Sequence, residues 1–72
     1  MQQHEFRLNS DYVELNQLLK LTGVSQSGGA GKMLVAEGNV RVDGLVELRK
    51  TCKIRAGQVV SLQGVRINVL AP

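Results

Sequence analysis

The segment that decides the fold is VSQSGGAGKMLVAEGNVRVDG, residues 24–44, because the spacing of its apolar residues changes at Gly38. Before that glycine the pattern is helical, and Ser27 can accept a hydrogen bond from a free backbone N–H of the first helical turn. Gly38 is a typical residue for the end of a helix. We therefore predict a helix that begins after Ser27 and ends at Gly38, and its inward side is expected to consist of Ala30, Met33 and Leu34.

The residues after this helix follow the two-residue period of a strand. Val40 and Val42 alternate with Arg41, which predicts a strand whose arginine points away from the core. Asp43-Gly44 is a strong signal for a two-residue hairpin turn, and we read Asp43 as a turn residue. A helix followed by a β-hairpin is therefore the centre of the predicted fold.

The glycine-rich start of the helix invites comparison with a nucleotide-binding loop, which requires a glycine, four residues, Gly-Lys and then Ser or Thr. Counted back from Gly31-Lys32, the first position is Gln26, and the residue after the lysine is Met33. Both ends of the motif fail, so the sequence excludes an ATP or GTP loop of this kind.

The glycines at positions 28, 29 and 31 still need an explanation, since a glycine inside a helix costs on the order of 1 kcal/mol relative to alanine. One explanation is close packing of this helix against another backbone. The other is a helix start with few side chains, whose unpaired N–H groups and positive dipole end suit a phosphate. The sequence leaves both open.

Elements on either side of the central segment complete the fold. A strand is expected at EFRL (5–8) and a helix at SDYVELNQLLKLTG (10–23), in which Asp11 and Glu14 have the spacing of a capping box and Gly23 ends the helix. Its inward face is expected to consist of Leu15, Leu18 and Leu19.

Three strands are expected after the hairpin turn, at LVELRK (45–50), VVSL (59–62) and VRINVL (65–70). In the first of them Val46 and Leu48 should point inward and Arg49 outward. The plan is one α+β domain spanning residues 1–72, with two short helices packed on a small, mostly antiparallel sheet.

Length and composition narrow the function. A chain of 72 residues with 43% hydrophobic residues suits one small domain. The single cysteine, Cys52, cannot form an internal disulfide, which favours a reducing compartment.

No signal peptide or membrane-span pattern is found, so we expect a cytoplasmic protein without membrane contact. With one histidine, His4, the sequence offers no Ser-His-acid set, and no metal ligands cluster, so no catalytic residue, metal or cofactor is expected.

The net charge of +3 conceals an asymmetry along the chain. Residues 1–47 carry four basic and six acidic side chains, whereas residues 48–72 carry five basic and none that is acidic. Such a split suggests a polyanionic partner, although basic residues also serve simply to keep a small domain soluble. Only Phe6 and Tyr12 provide aromatic rings other than histidine, so stacking of bases is not expected as the main mode of binding.

Residues 15–62 resemble the alpha-L RNA-binding domain, a family named after a small-subunit ribosomal protein. VRVDG (40–44) matches the family's V-x-V-N-G hairpin, and IRAGQVV (54–60) matches its closing V-x-P-G-D-x-I segment. Ser27 matches the serine that opens the second helix, Lys32 a basic helix position and Gly38 the glycine after the helix. Leu34-Val35 matches the apolar pair before that glycine.

Three positions depart from the family pattern. Gly28 stands where the family usually has an arginine, so a phosphate contact is missing or passes to the backbone. Ala56 replaces the proline and Gln58 the aspartate, which affects the rigidity of a turn more than binding. The glycine-rich variant, the short length and the extra terminal strands look most like the free-standing YbcJ-type members, which implies an RNA-binding, ribosome-associated protein.

The resemblance implies that the second helix and the hairpin form a platform for structured RNA, with rRNA as the expected class. Ribosomal or RNA-processing proteins are expected as further partners, and the chain is expected to be a monomer. The predicted RNA-binding residues are Ser27, Gly28, Gly29, Lys32, Arg41, Arg49, Lys50, Lys53 and Arg55.

Two other functions remain open from the sequence. The chain could be a protein-interaction module that adds the edge of VRINVL (65–70) to a partner's sheet. An enzyme is the weakest reading, because no pair of acidic residues has an evident shared pocket.

Overall fold

The computed structural model describes residues 2–72 and confirms the α+β arrangement. Neither helix in this part of the chain has the length and hydropathy needed to span a membrane. The elements are β1 (Gln2–Arg7), β2 (Val13–Glu14), α1 (Leu15–Leu21), α2 (Gly28–Ala36), β3 (Arg41–Val42), β4 (Leu45–Val46), β5 (Lys53–Ile54), β6 (Val59–Leu62) and β7 (Val65–Leu70).

Five strands form one sheet in the order β1-β7-β6-β3-β4, and β2 pairs separately with β5. All pairs are antiparallel except that of β1 with β7, which runs parallel over its whole length from Gln2 opposite Val65 to Arg7 opposite Leu70. The first and last strands of the chain therefore lie side by side, and β1 forms one edge of the sheet.

The sheet has one buried and one solvated face, as the two-residue alternation of its strands predicts. Val60 and Ile67 are paired across β6 and β7 and are completely buried, whereas their neighbours Ser61 and Arg66 are paired on the opposite face. The inner face packs against both helices. Its core comprises Leu8, Leu15, Leu18, Leu19, Val35, Val40, Val42, Ile54, Val60, Leu62, Ile67 and Val69.

Helix α1 is shorter than predicted, and the predicted capping box does not form. The helix begins at Leu15, its N-cap is Glu14, and no side chain caps it. Residues 13 and 14 are extended because they pair with β5, which carries them away from helical geometry. The three leucines predicted to face inward are fully buried, and Gly23 follows the helix with a φ of +79°.

Helix α2 begins and ends as predicted but is rotated relative to the expected inward side. Ser27 is its N-cap, and Gly38 follows its C-cap with a φ of +79°. Met33, however, is 63% exposed, whereas Val35 is completely buried together with Gly31. At 100° per residue, a helix that presents Gly31 and Val35 to its neighbour turns Met33 toward solvent. The prediction of Met33 as a core residue was wrong.

The hairpin turn is confirmed, with a φ of +52° at Asp43 and +85° at Gly44, the combination that a type I′ turn requires. The carboxylate of Asp43 also accepts a hydrogen bond of 3.0 Å from the backbone N–H of Val59, while the Asp43 N–H donates to the Val59 carbonyl at 2.8 Å. Asp43 is thus a turn residue that also ties the hairpin to the start of β6.

The strand predicted over residues 45–50 is reduced to β4, and its apolar residues are not part of the core. Leu45 is 75% exposed and Leu48 is 60% exposed, and Val46 is half exposed. The strand lies at the edge of the sheet, with a neighbour on one side only. The inward orientation predicted for Val46 and Leu48 was therefore wrong.

The edge predicted at VRINVL is also absent, because β7 pairs with β1 on one side and β6 on the other. Sequence patterns gave no indication that the N-terminal strand would return to this position. The pairing leaves no free edge on β7 for a partner strand, which weakens the hypothesis of an interaction module based on that edge.

The glycines of α2 give a matched pair for a stability test. A Cβ built on Gly31 would lie 3.0 Å from the carbonyl oxygen of Asn16 and 3.2 Å from Ser25 Oγ, whereas one built on Gly29 meets nothing closer than Ser27 Oγ at 3.9 Å. We expect Gly31→Ala to lower the free energy of unfolding by about 1–3 kcal/mol through overpacking. Gly29→Ala should raise it by about 0.4–1 kcal/mol, because alanine favours the helix.

Urea unfolding followed by circular dichroism measures both changes, with the denaturant slope as the check that the unfolding reaction is the same. If Gly31→Ala stabilised the protein as much as Gly29→Ala does, the close approach of the two helices at Gly31 would be refuted.

Candidate nucleic-acid interface

The first turn of α2 presents free backbone donors, as predicted. The hydroxyl of Ser27 accepts from the Ala30 N–H at 3.1 Å, and the Ser27 carbonyl accepts the first helical bond, from the Gly31 N–H at 3.0 Å. The N–H groups of Gly28 and Gly29 have no acceptor anywhere in residues 2–72. These two donors lie at the positive end of the helix dipole, a combination that favours an anion.

The glycines of α2 differ in their surroundings: close packing explains Gly31, and a phosphate site at the helix start stays a prediction for Gly28 and Gly29. Gly31 provides the close approach of α2 to the backbone of Asn16. Gly28 and Gly29 are not required by packing to the same degree, since a Cβ on Gly28 would lie 3.7 Å from Gln17 Nε2 and 3.9 Å from Asn16 Nδ2. The first turn of α2 therefore lies beside the polar side chains that begin α1.

The loop before β5, which carries the basic residues Arg49 and Lys50, also contacts the first turn of α1. The Leu15 N–H donates to the Cys52 carbonyl at 2.9 Å, and the Asn16 N–H donates to the Lys50 carbonyl at 3.1 Å. The loop thereby replaces the missing side-chain cap of α1. As a result, the backbone that carries Lys50 is hydrogen-bonded to the same residue, Asn16, that adjoins the start of α2.

Tyr12 organises two further cations. Its ring is partly exposed, and it has Lys53 Nζ at 5.0 Å and Arg55 Cζ at 5.7 Å from its centroid. Both distances lie within the range of cation–π attraction. The antiparallel register, with Val13 opposite Ile54, places the tyrosine beside these residues. No local sequence pattern indicates this position of Tyr12, because the pairing joins segments some forty positions apart.

Arg49 differs from the other predicted cations because its guanidinium already forms an ion pair with the carboxylate of Glu47. Its Nε and Nη2 donate to the two carboxylate oxygens of Glu47 at 2.9 and 3.0 Å, and its backbone N–H donates to the same group at 3.0 Å. These side-chain and backbone hydrogen bonds lower the pKa of Glu47 to about 2. The Nη2 of Arg49 also lies 3.6 Å from the sulfur of Cys52. Burial raises the pKa of the Cys52 thiol.

The structure separates Arg41 from the other predicted residues. Arg41 is exposed between the buried Val40 and Val42, so it points from the outer face of the sheet, away from the helices. Lys32, in contrast, is exposed one turn after Gly28 on α2. The predicted site is therefore divided between two faces of the molecule.

We call the larger part the α1-start surface, because its members lie on the segments that meet the first turn of α1. It contains the free N–H groups at the start of α2, the basic residues of the loop before β5 and of β5 itself, and Tyr12. Arg49, which is paired with Glu47, lies at the margin of this surface beside Cys52. The members are Tyr12, Ser27, Gly28, Gly29, Lys32, Arg49, Lys50, Lys53 and Arg55.

Comparison with known proteins matches this chain to a domain family and to curated relatives. The protein-family model described as "S4 domain" matches residues 6–70. The "Putative RNA-binding protein YbcJ" of Escherichia coli (strain K12) is 57% identical over 60 residues, which cover 83% of this chain and 86% of that protein. The "Probable ribosome maturation protein RlbA" of Bacillus subtilis (strain 168) is 35% identical over 57 residues, covering 79% of this chain and 80% of that protein.

A solved structure agrees with the fold as well. The solution structure of YbcJ from E. coli, reported to reveal an alpha-L motif involved in RNA binding, matches with a TM-score of 0.73 and 53% sequence identity. The match covers 93% of this chain and 86% of that one.

The Glu47–Arg49 pair predicts a pH dependence of stability. The carboxyl has a lowered pKa in the folded state, so its stabilising effect is present above its ordinary pKa of 4.5 and is lost as the pH falls toward about 2. Since the arginine is exposed, solvent screens the ion pair, and we expect only a small loss in the free energy of unfolding. Urea unfolding measured between these pH values tests this.

The matched variant is Glu47→Gln, which keeps the shape of the side chain but cannot titrate. Its stability should fall less steeply across the same pH range than that of the unaltered protein. Identical slopes for the two proteins would contradict the assignment.

Proposed function

The chain belongs to the S4 domain family, and from this premise we propose that it is a non-catalytic protein that binds structured RNA through the α1-start surface. The observation that carries the proposal is the junction at the first turn of α1, where free helix amides and a basic loop meet. The RNA-binding description of YbcJ, at 57% identity, supports the same class of partner.

The proposed contacts are to phosphate. The free N–H groups of Gly28 and Gly29 would donate to phosphate oxygens, because a helix start without side chains admits the backbone of a nucleic acid closely. Lys50, Lys53 and Arg55 would neutralise neighbouring phosphates. Such contacts fix the position and orientation of the protein on RNA and carry little information about base sequence.

Arg49 would contact phosphate only by releasing the carboxylate of Glu47 or by binding both groups at once. Its guanidinium is bound at two points by Glu47, so a phosphate must compete with a carboxylate that is already well placed. The side chain is largely exposed, which leaves part of its donor set accessible. We therefore assign the main electrostatic contribution to the loop lysines rather than to this arginine.

We further propose that the RNA is ribosomal and that ribosomal or RNA-processing proteins lie nearby when it is bound. The support is the name of the Bacillus subtilis relative, a ribosome maturation protein at 35% identity. The scarcity of aromatic residues also favours recognition of folded RNA by shape and phosphate position over stacking of unpaired bases.

The first prediction of this proposal concerns salt. Binding of a structured rRNA fragment should weaken steeply as salt rises, with a slope of log affinity against log salt of about −0.7 to −0.9 per phosphate neutralised. Replacing Lys50 and Lys53 with alanine should weaken binding and make the slope less steep by about 1 per lysine. Fluorescence anisotropy over a series of salt concentrations measures both quantities.

The control is Arg7→Gln combined with Lys20→Gln, which removes the same net charge outside the proposed surface. It should keep the slope of the unaltered protein. If both double variants lost affinity equally, total charge rather than the α1-start surface would explain binding.

The second prediction concerns Tyr12. Tyr12→Leu should reduce RNA affinity by a few fold, because the ring that positions Lys53 and Arg55 contributes about 0.5–1 kcal/mol at an exposed site. Tyr12→Phe keeps the aromatic face and should bind as the unaltered protein does. Anisotropy at a single low salt concentration is sufficient. Equal losses for both variants would show that the hydroxyl, and not the cation–π contact, is responsible.

A further inference from the structure

The outer face of the sheet carries a second basic site that the α1-start surface does not include. Cross-strand pairing aligns Arg41 of β3 with Ser61 of β6, and Ser61 with Arg66 of β7. Residues paired in this way point to the same side of a sheet. The two arginines therefore flank one serine on the face opposite the helices.

The surroundings of this row favour an anion. Neither arginine forms an ion pair in residues 2–72, and the row ends in Val46 on one side and Gln3 on the other. The acids nearest by register are Asp43 and Glu5. Asp43 lies two positions beyond Arg41 and accepts a hydrogen bond from the Val59 N–H, and Glu5 lies two positions beyond Gln3, opposite Asn68. A cleft of about 230 Å³ adjoins the row, and it is lined by Asn39, Arg41, Ser61, Leu62, Gln63, Gly64 and Val65.

The spacing suits two contacts to a nucleic-acid backbone. Neighbouring strands lie about 4.8 Å apart, so the backbones that carry Arg41 and Arg66 are roughly 9.6 Å apart across β6. A guanidinium binds phosphate through two parallel N–H donors. The hydroxyl of Ser61 and the side chain of Gln63 add neutral donors beside them.

We propose that the Arg41–Ser61–Arg66 row binds the phosphate backbone of a second RNA segment, so that the domain joins two parts of a folded RNA. The inference rests on the proposed function, since it assumes that a first segment occupies the α1-start surface. The separation of the two sites follows from the fold: Arg41 and Arg66 leave the sheet on one side, and both helices pack on the other.

A bridging experiment tests this. A structured rRNA fragment is immobilised, the full-length protein is added, and a fluorescent RNA hairpin is supplied as the probe for the second site. We expect the unaltered protein to retain the hairpin. Arg41→Gln with Arg66→Gln should still be captured by the immobilised RNA but should retain about tenfold less hairpin, because two charge-assisted contacts are lost.

Two comparison proteins make the result specific. Arg41→Lys with Arg66→Lys keeps both charges and should retain more hairpin than the glutamine variant. Arg7→Gln with Lys20→Gln lowers the net charge equally without touching the row, and it should bridge as the unaltered protein does.

The outcomes separate the two proposals. Failure of the unaltered protein to bind the immobilised RNA refutes the proposed function and this inference with it. Capture of every variant together with undiminished bridging by the glutamine variant refutes only the second site, and it would assign bridging to another surface or to association of two protein molecules.

Discussion

The rest of the structure depends on how the first turn of α1 satisfies its backbone donors. No side chain caps this helix, and the N–H groups of Leu15 and Asn16 donate instead to carbonyls of the loop before β5. Unpaired donors at a buried helix end are costly, so this exchange fixes the loop against the helix. The loop carries Lys50 and Cys52, and a structural requirement of the helix thereby determines where the basic residues lie.

A second constraint acts on the same turn from the side of α2. Gly31 allows the two helices to approach until little room remains for a methyl group over the Asn16 carbonyl. This approach also encloses the Asn16 side chain, which is only 2% exposed and whose Oδ1 has no partner within the described residues. The free amides of Gly28 and Gly29 are consequently held at a fixed position beside α1. The contacts that pack α2 against α1 at Gly31 and Asn16 therefore also position the amides that are proposed to bind phosphate.

The charge of the molecule is distributed over two faces rather than one. The sequence suggested that the hairpin arginines and the start of α2 would form a single patch, but the strand alternation that buries Val40 and Val42 sends Arg41 to the other side. Arg49 remains near the loop lysines, yet Glu47 holds it. A basic run in sequence is therefore a poor guide to a basic surface, because each residue's direction is set by the element that carries it.

The sequence by itself determined the local features: the cap at Ser27, the helix ends at Gly23 and Gly38, and the turn at Asp43. Each depends on a few neighbouring residues whose backbone preferences can be read directly. Tertiary structure alone decided the parallel pairing of β1 with β7 and the loss of the first turns of the predicted α1. These features depend on contacts between distant segments, whose energy no local pattern contains. The position of Tyr12 between two cations belongs to this second group, since the pairing of β2 with β5 creates it.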